Sequence, residues 1–208
     1  MKKLLEESAM TQTINELIGS VVQILLFTLI PFIWWLITAR KKENFFSWIG
    51  LKKPVGDKKK ILLFILGAFV ICEVVGMILN NTILKTEWNV SPFAGEGIGG
   101  LLAAVLYSYF HTAFSEEIIY RGFLQKRLQK ALGFTAGTLV QAFIFGASHV
   151  ILSYNLITFT EGVALLLYPM LPAILIAFIN EKKCEGSILP GWLIHGTLNV
   201  ITHVSQLW

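Results

Sequence analysis

The chain has 208 residues, of which 55% are hydrophobic and only 14% are charged, and its formal net charge is +4. Because soluble domains carry about 25% charged residues, this composition excludes an ordinary soluble domain and indicates one integral membrane bundle. The basic residues cluster in short loops between apolar stretches, which argues against a nucleic-acid partner. Two cysteines, Cys72 and Cys184, form no CxxC motif and are expected to be free thiols.

Six segments are apolar over roughly the 20 residues that a membrane-spanning helix needs. In chain order they cover about residues 16–38, 61–83, 98–118, 134–153, 156–179 and 187–207. The third is expected to continue as a helix through Arg121, and Pro169 and Pro172 predict a kink in the fifth. The sixth is the most polar. The predicted fold is therefore an all-α polytopic membrane bundle of about six transmembrane helices with a polar cavity inside the bilayer.

Basic residues fall on alternate sides of these segments. Fourteen of the 17 Lys and Arg residues lie in 39–60, 121–133 and 180–186, whereas the other side holds only Lys2, Lys3 and Lys85. The positive-inside rule then predicts a multi-pass protein of the cell membrane with both termini extracytoplasmic. As an alternative for the N-terminus, residues 1–15 would form an amphipathic helix on the cytoplasmic surface.

Several strongly polar residues lie inside the predicted spans. Glu116 and Glu117 end the third span, His149 lies in the fourth, and His195 and Asn199 lie in the sixth. A charged residue inside a bilayer is costly and usually faces the interior of the bundle. With a helical rise of about 1.5 Å per residue, these positions fall at comparable depths. The sequence therefore predicts that the third, fourth and sixth spans bring them into one cavity.

Helical spacing predicts that the two glutamates point in different directions. Glu117 and Arg121 are four residues apart and are predicted to pair on one face, while Glu116 is rotated by about 100° and points elsewhere. On the sixth span, His195 and Asn199 share a face, and His203 continues it. Two further polar residues, Glu73 of the second span and His111 of the third, are more typical of helix packing than of a site.

These residue types allow two kinds of chemistry. A glutamate without a cationic partner is a plausible general base for water, and His and Asn side chains can donate hydrogen bonds to an oxyanion. A Glu, two His and an Asn are also a set that could bind zinc. Composition alone does not decide between the two. The motifs of other intramembrane proteases are missing, since the sequence has no HExxH, no GxSG and no Asp within a span.

Three short motifs, in order, resemble those of one known family. "EEIIYR" at 116–121 fits EExxxR, "FGASH" at 145–149 fits FxxxH, and "HGTLN" at 195–199 fits HxxxN. In these motifs the chain resembles the CAAX protease and bacteriocin-processing (Abi) family of intramembrane glutamic endopeptidases, which includes the type II CAAX prenyl endopeptidases. The resemblance covers about residues 96–207. It divides the single membrane domain into N-terminal helices with a basic loop, 1–95, and a catalytic core, 96–208.

The resemblance implies the following roles. Glu116 and His149 would activate a water, and His195 and Asn199 would stabilise the oxyanion. Glu117, Arg121 and Phe145 would support them. It also implies no catalytic metal, although the family was first regarded as metal-dependent, and zinc is the less favoured alternative.

The expected function is hydrolysis of a membrane-associated peptide, such as a bacteriocin leader, a signalling-peptide precursor or a lipidated C-terminus. The expected partners are that peptide and the lipid bilayer. The competing hypothesis is a non-proteolytic bacteriocin-immunity protein that binds or shields its target. A transporter is disfavoured, because the polar residues form a cluster and no inverted repeat is visible.

Overall fold

The structure of the protein is a computed structural model, which describes residues 2–84 and 90–208, with the backbone alone for residues 2–6 and 8. All regular elements in this part of the chain are helical, as predicted. They are α1 (Lys2–Thr38), α2 (Phe45–Ile49), α3 (Lys58–Thr82), α4 (Gly97–Leu132), α5 (Phe134–Ser153), α6 (Phe159–Lys183) and α7 (Leu189–Val204). Lys85, counted above on the less basic side, lies outside the described residues.

Five of the described helices are long and apolar enough to cross a membrane: α1 from Ala9 onward, α3, α4, α5 and α6. The sixth predicted span corresponds to α7, which has only 16 residues. At about 1.5 Å per residue it is roughly 24 Å long, shorter than the roughly 30 Å hydrocarbon layer. The shortest of the six predicted spans is thus the one with the most polar sequence, and it packs among the other helices.

Two helices extend further than the apolar pattern indicated. The third span continues past Arg121, as expected, and ends only at Leu132. Residues 2–15 join the first span in one continuous helix.

The fifth span continues as one helix through Pro169 and Pro172, and both prolines line the central cavity described below.

The outside of the bundle is apolar and the inside is tightly packed. Large apolar side chains such as Leu25 of α1 and Leu63 of α3 are more than half exposed, as expected for surfaces that face lipid. Inside, α3, α6 and α7 share a core that includes Cys72, Ile176 and Ile194. Cys184 belongs to the same core, and both cysteines are free and buried. With five helices long and apolar enough to span a bilayer and an apolar outer surface, the chain is a membrane protein.

The basic segment 39–60 holds the beginning of α7 in place. The main-chain N–H of Ile188 donates to the carbonyl oxygen of Gly50 at 2.9 Å, and the Ser187 hydroxyl donates to that of Lys52 at 2.6 Å. Gly50 ends α2 with φ +90°, and a Cβ there would lie 2.5 Å from the Gly186 oxygen. Glycine is therefore required at this contact. The contact fixes where α7, the helix that carries His195, begins.

A partly buried ion pair ties the ends of α4 and α6 to the same region. The Lys126 ammonium group donates to Glu181 Oε1 at 2.7 Å and to the Gly186 carbonyl oxygen at 2.8 Å. The Gln129 amide donates to the other oxygen of Glu181 at 2.6 Å. Because both carboxylate oxygens are satisfied, the burial of this charge is compensated.

Helices α5 and α6 pack closely at Gly146. A Cβ on Gly146 would overlap the main-chain carbonyl of Leu166, and it would lie 3.2 Å from Met170 Cγ. Main chain cannot move aside as a flexible side chain can. The contact therefore sets the distance between the helix that carries His149 and its neighbour.

We expect Gly146→Ala to destabilise the protein by about 1–3 kcal/mol, because the added methyl group overpacks a rigid contact. Thermal unfolding of the purified protein in detergent measures the effect. Gly67→Ala is the matched control, because a Cβ at that helical glycine would meet nothing within 4 Å beyond its chain neighbours and the backbone of its own helix. Because alanine has a higher helix propensity than glycine, this variant should have unchanged or slightly higher stability. Equal unfolding temperatures for the two variants would contradict the expectation.

Candidate active site

One polar cavity of about 290 Å³ lies in the middle of the bundle. Its lining includes all four residues that were predicted to be catalytic, Glu116 from α4, His149 from α5, and His195 and Asn199 from α7. The prediction that three spans bring these residues together is confirmed. A larger depression of about 440 Å³ between α5 and α6 is lined almost wholly by apolar side chains, with no charged residue or histidine.

The helix that carries both glutamates has an unusual local geometry. Two stretches of α4, Tyr107–Phe114 and Glu117–Gln125, are π-helical, and Ser115 and Glu116 lie between them. π-helical turns are rare and occur often at functional sites. They widen the helix, so side chains depart from the directions that a regular α-helix would give them.

Glu117 and Arg121 form the predicted pair. Arg121 Nη1 lies 3.1 Å from Glu117 Oε1, and both side chains are almost fully buried, at 1% and 0% exposed. The guanidinium group also lies over the ring of Phe145, 4.2 Å from its centroid. None of its nitrogens makes an aligned hydrogen bond to the described residues, so charge and ring contact hold it. Arg121, which was counted among the loop residues above, is part of the site.

The imidazole of His195 lies between the two glutamates. Its Nδ1 is 3.2 Å from Glu117 Oε1, and its Nε2 is 3.7 Å from Glu116 Oε2. Glu116 lines the cavity and Glu117 does not, in keeping with their different directions on the helix, and His195 still lies close to both carboxylates. A ring on another helix can meet both carboxylates, one at each nitrogen, although the two positions diverge on their own helix.

His149 is oriented by its own helix. Its Nδ1 lies 2.8 Å from the carbonyl oxygen of Phe145, which can only accept, so Nδ1 carries the proton. In the neutral ring, Nε2 is then a hydrogen-bond acceptor. The Phe145 ring packs against His149 with centroids 4.7 Å apart and against His195 at 5.9 Å. Phe145 thus packs against both histidines and Arg121.

Some residues that shape the site were not identified from the sequence. Gly196 packs against the ring of Tyr109, where a Cβ would overlap the ring, and a Cβ on Gly191 would lie 2.7 Å from Glu117 Oε2. Both glycines let α7 approach α4 closely. Thr112 receives a hydrogen bond from Asn199 at 2.9 Å. The glycine within "HGTLN" and the four-residue spacing from Thr112 to Glu116 were signals available in the sequence.

The polar residues assigned to packing lie apart from the four candidate catalytic residues. His111 Nδ1 lies 3.2 Å from Glu16 Oε2, which joins α4 to α1. Glu73 has no ion-pair or hydrogen-bond partner among the described residues, and it does not line the cavity. His203 does line it, and its Nδ1 lies 3.1 Å from the Ser91 hydroxyl oxygen.

The arrangement of donor atoms bears on metal binding. Within the described part of the chain, no group of three or more His, Cys, Asp or Glu side chains is placed to hold a metal ion. Nδ1 of His149 faces a carbonyl oxygen and Nδ1 of His195 faces Glu117, so each ring keeps only Nε2 for another partner.

We expect Arg121→Met to destabilise the protein by about 3–5 kcal/mol, because it leaves the Glu117 carboxylate buried with less compensating charge. Glu117→Gln combined with Arg121→Met should restore part of this loss, since both charges are then gone. Thermal and denaturant unfolding in detergent measure the effect. Lys130→Met is the control, an exposed cation on the same helix. A double variant no more stable than Arg121→Met alone would contradict the pairing.

Comparison with protein families finds a match over the C-terminal half of the chain. The model of the type II CAAX prenyl endopeptidase Rce1-like family matches residues 98–201, which include every candidate catalytic residue from Glu116 to Asn199. Comparisons with curated proteins and with solved structures found no match. The matched segment contains half of the chain and forms most of the cavity. With the three motifs assembled around one cavity in a membrane bundle, the chain belongs to the Rce1-like family of type II CAAX prenyl endopeptidases, a family of proteases.

Proposed function

We propose that the protein is an intramembrane endopeptidase that hydrolyses a membrane-associated peptide with a water activated by Glu116. One observation carries the proposal. Glu116 lines the cavity, whereas Glu117 does not, and Oε1 of Glu117 is held by Arg121 and His195. Among the described residues, Oε2 of each glutamate has no hydrogen-bond partner. One of two adjacent carboxylates is thus structural, and the other is available for chemistry.

In the first step, Glu116 takes a proton from water as the water oxygen attacks the scissile carbonyl carbon. His149 supports this step, because its Nε2 can accept the second hydrogen of the same water and orient its lone pair. The new C–O bond forms as the carbonyl electrons move to its oxygen. The proton held by Glu116 then passes to the amide nitrogen, the C–N bond breaks, and a carboxylic acid and an amine are released.

His195 and Asn199 are proposed to stabilise the negative oxygen of the intermediate. Since Nδ1–H of His195 points to Glu117, the ring can donate from Nε2 only as an imidazolium. One carboxylate lies beside each ring nitrogen, with Glu117 Oε1 at 3.2 Å from Nδ1 and Glu116 Oε2 at 3.7 Å from Nε2. Asn199 supplies an amide N–H from the next turn of α7. Donors fixed in a site of low dielectric favour an intermediate that develops charge.

The proposed substrate is a peptide that reaches the site from the membrane, such as a lipidated C-terminus, a bacteriocin leader or a signalling-peptide precursor. The apolar outer surface and the central polar cavity support this class. We propose that the basic segments 39–60, 121–133 and 180–186 face the cytoplasm, which gives extracytoplasmic termini in the cell membrane. Residues 1–95 then supply helices and a basic loop, and residues 96–208 supply the catalytic core.

We expect Glu116→Gln to lower the cleavage rate by about 10²–10⁴-fold, because the amide cannot accept the proton from water. The assay uses protein in liposomes with two probes, a farnesylated peptide ending in Cys-aliphatic-aliphatic-X and an unlipidated apolar peptide library. Mass spectrometry identifies the products. Glu73→Gln is the matched control, a glutamate of another spanning helix that does not line the cavity.

Cleavage by Glu116→Gln at the parental rate would contradict the proposal. The non-proteolytic alternative gives a different pattern in cells. Protection against a bacteriocin that survives alanine at both His149 and His195 would indicate binding without hydrolysis.

We propose that the reaction needs no metal, on the ground that the donors present are oriented by protein partners. Exhaustive treatment with EDTA and 1,10-phenanthroline should then leave the cleavage rate unchanged. Elemental analysis of the treated protein is the accompanying measurement. Stoichiometric zinc that restores a lost activity would contradict this proposal and assign the cavity residues as ligands.

A further inference from the structure

The side-chain amide of Asn199 has a specific partner on the glutamate-bearing helix. Asn199 Nδ2 donates to Thr112 Oγ1 at 2.9 Å, and both residues line the cavity. Thr112 lies four residues before Glu116, on the same helix. The contact therefore links a proposed oxyanion donor on α7 to the helix that carries the proposed base.

The direction of this hydrogen bond follows from the single proton that the Thr112 hydroxyl can donate. The single hydroxyl proton of Thr112 lies toward main-chain carbonyl oxygens of its own helix, Ser108 at 3.0 Å and Tyr107 at 3.2 Å. These oxygens can only accept, so the Thr112 oxygen is left to accept from Asn199. The amide nitrogen, and not the amide oxygen, must then face Thr112. Two carbonyls are within reach because this stretch of α4 is π-helical.

We infer that Thr112 is a positioning residue that fixes the Asn199 amide so that its second N–H is available to the oxyanion. The inference rests on the proposed function, which assigns the oxyanion to this part of the cavity. Without an acceptor at residue 112, the amide can turn by 180°. It would then direct a carbonyl oxygen at the oxyanion, which repels it.

The hydroxyl of Thr112 is needed only as an oriented acceptor, so two substitutions separate its role from packing. Thr112→Val keeps the shape and removes the acceptor, while Thr112→Ser keeps the acceptor. Loss of a whole oxyanion donor lowers kcat by about 10²–10³-fold. We expect Thr112→Val to lower kcat by about tenfold or more, up to that limit, with little change in KM. Thr112→Ser should restore most of kcat.

The activity test is a double-mutant cycle on the peptide probe that the wild-type protein cleaves. If Thr112 acts through Asn199, Thr112→Val should have little further effect once Asn199→Ala is present. Thr197→Val is the matched control. Its hydroxyl also joins α7 to α4, through Tyr109 at 2.8 Å, but it does not line the cavity. That variant should keep the parental kcat.

A second measurement does not depend on activity. In micelles, the side-chain NH₂ signals of Asn199, identified by their loss in Asn199→Ala, should show one proton protected from exchange. Thr112→Val should remove this protection, and Thr112→Ser and Thr197→Val should keep it. An unprotected pair in the wild-type protein overturns the inference, and so does protection that survives Thr112→Val.

The outcomes separate the two proposals. If Glu116→Gln cleaves as fast as the wild type, or if neither peptide is cleaved by any variant, the proposed function fails, and the exchange measurement alone decides the Thr112–Asn199 contact. If Glu116→Gln is inactive while Thr112→Val keeps the parental kcat, the proposed function stands and the positioning role is wrong. Additive losses for Thr112→Val and Asn199→Ala would likewise overturn it.

Discussion

The buried carboxylate of Glu117 is the charge around which the site is arranged. It has no exposed surface, and it meets a guanidinium group from one turn further along α4 and an imidazole from α7. A buried ion pair is weak evidence for net stability, because desolvation offsets much of the attraction. Its geometry is nevertheless specific, since displacement of either partner leaves a charge in a medium that solvates it poorly. It therefore holds α7 in one position against α4.

The same contact gives the two adjacent carboxylates different roles. Oε1 of Glu117 meets both Arg121 and His195, whereas the Glu116 side chain lines the cavity. His195 connects them, with one nitrogen toward each. A proton donor, a proton acceptor and a compensating cation thus lie together inside a bundle whose outer surface is apolar. Such an arrangement suits hydrolysis, because charge that develops in the reaction meets fixed groups of opposite charge.

Close packing at glycines makes these short distances attainable. Gly191 and Gly196 remove side chains where α7 lies against α4, and Gly146 does the same between α5 and α6. At the beginning of α7, hydrogen bonds to main-chain carbonyl oxygens of the basic segment after α1 fix its position along the bundle. The N-terminal segment, outside the family match, therefore contributes to the geometry of the site through Gly50 and Lys52.

The sequence by itself determined the membrane class, the helical fold, and the pairing of Glu117 with Arg121. These follow from local properties, namely apolar length and the four-residue spacing on one helix. It also predicted that Glu116, His149, His195 and Asn199 share a cavity, because depth along a helix is fixed by residue count. Only the tertiary structure decided that His195 meets both carboxylates, that Thr112 receives the Asn199 amide, and which glycines allow the approach. These contacts depend on the distance and rotation between two helices, which arise from packing and are not encoded in the periodicity of either helix alone.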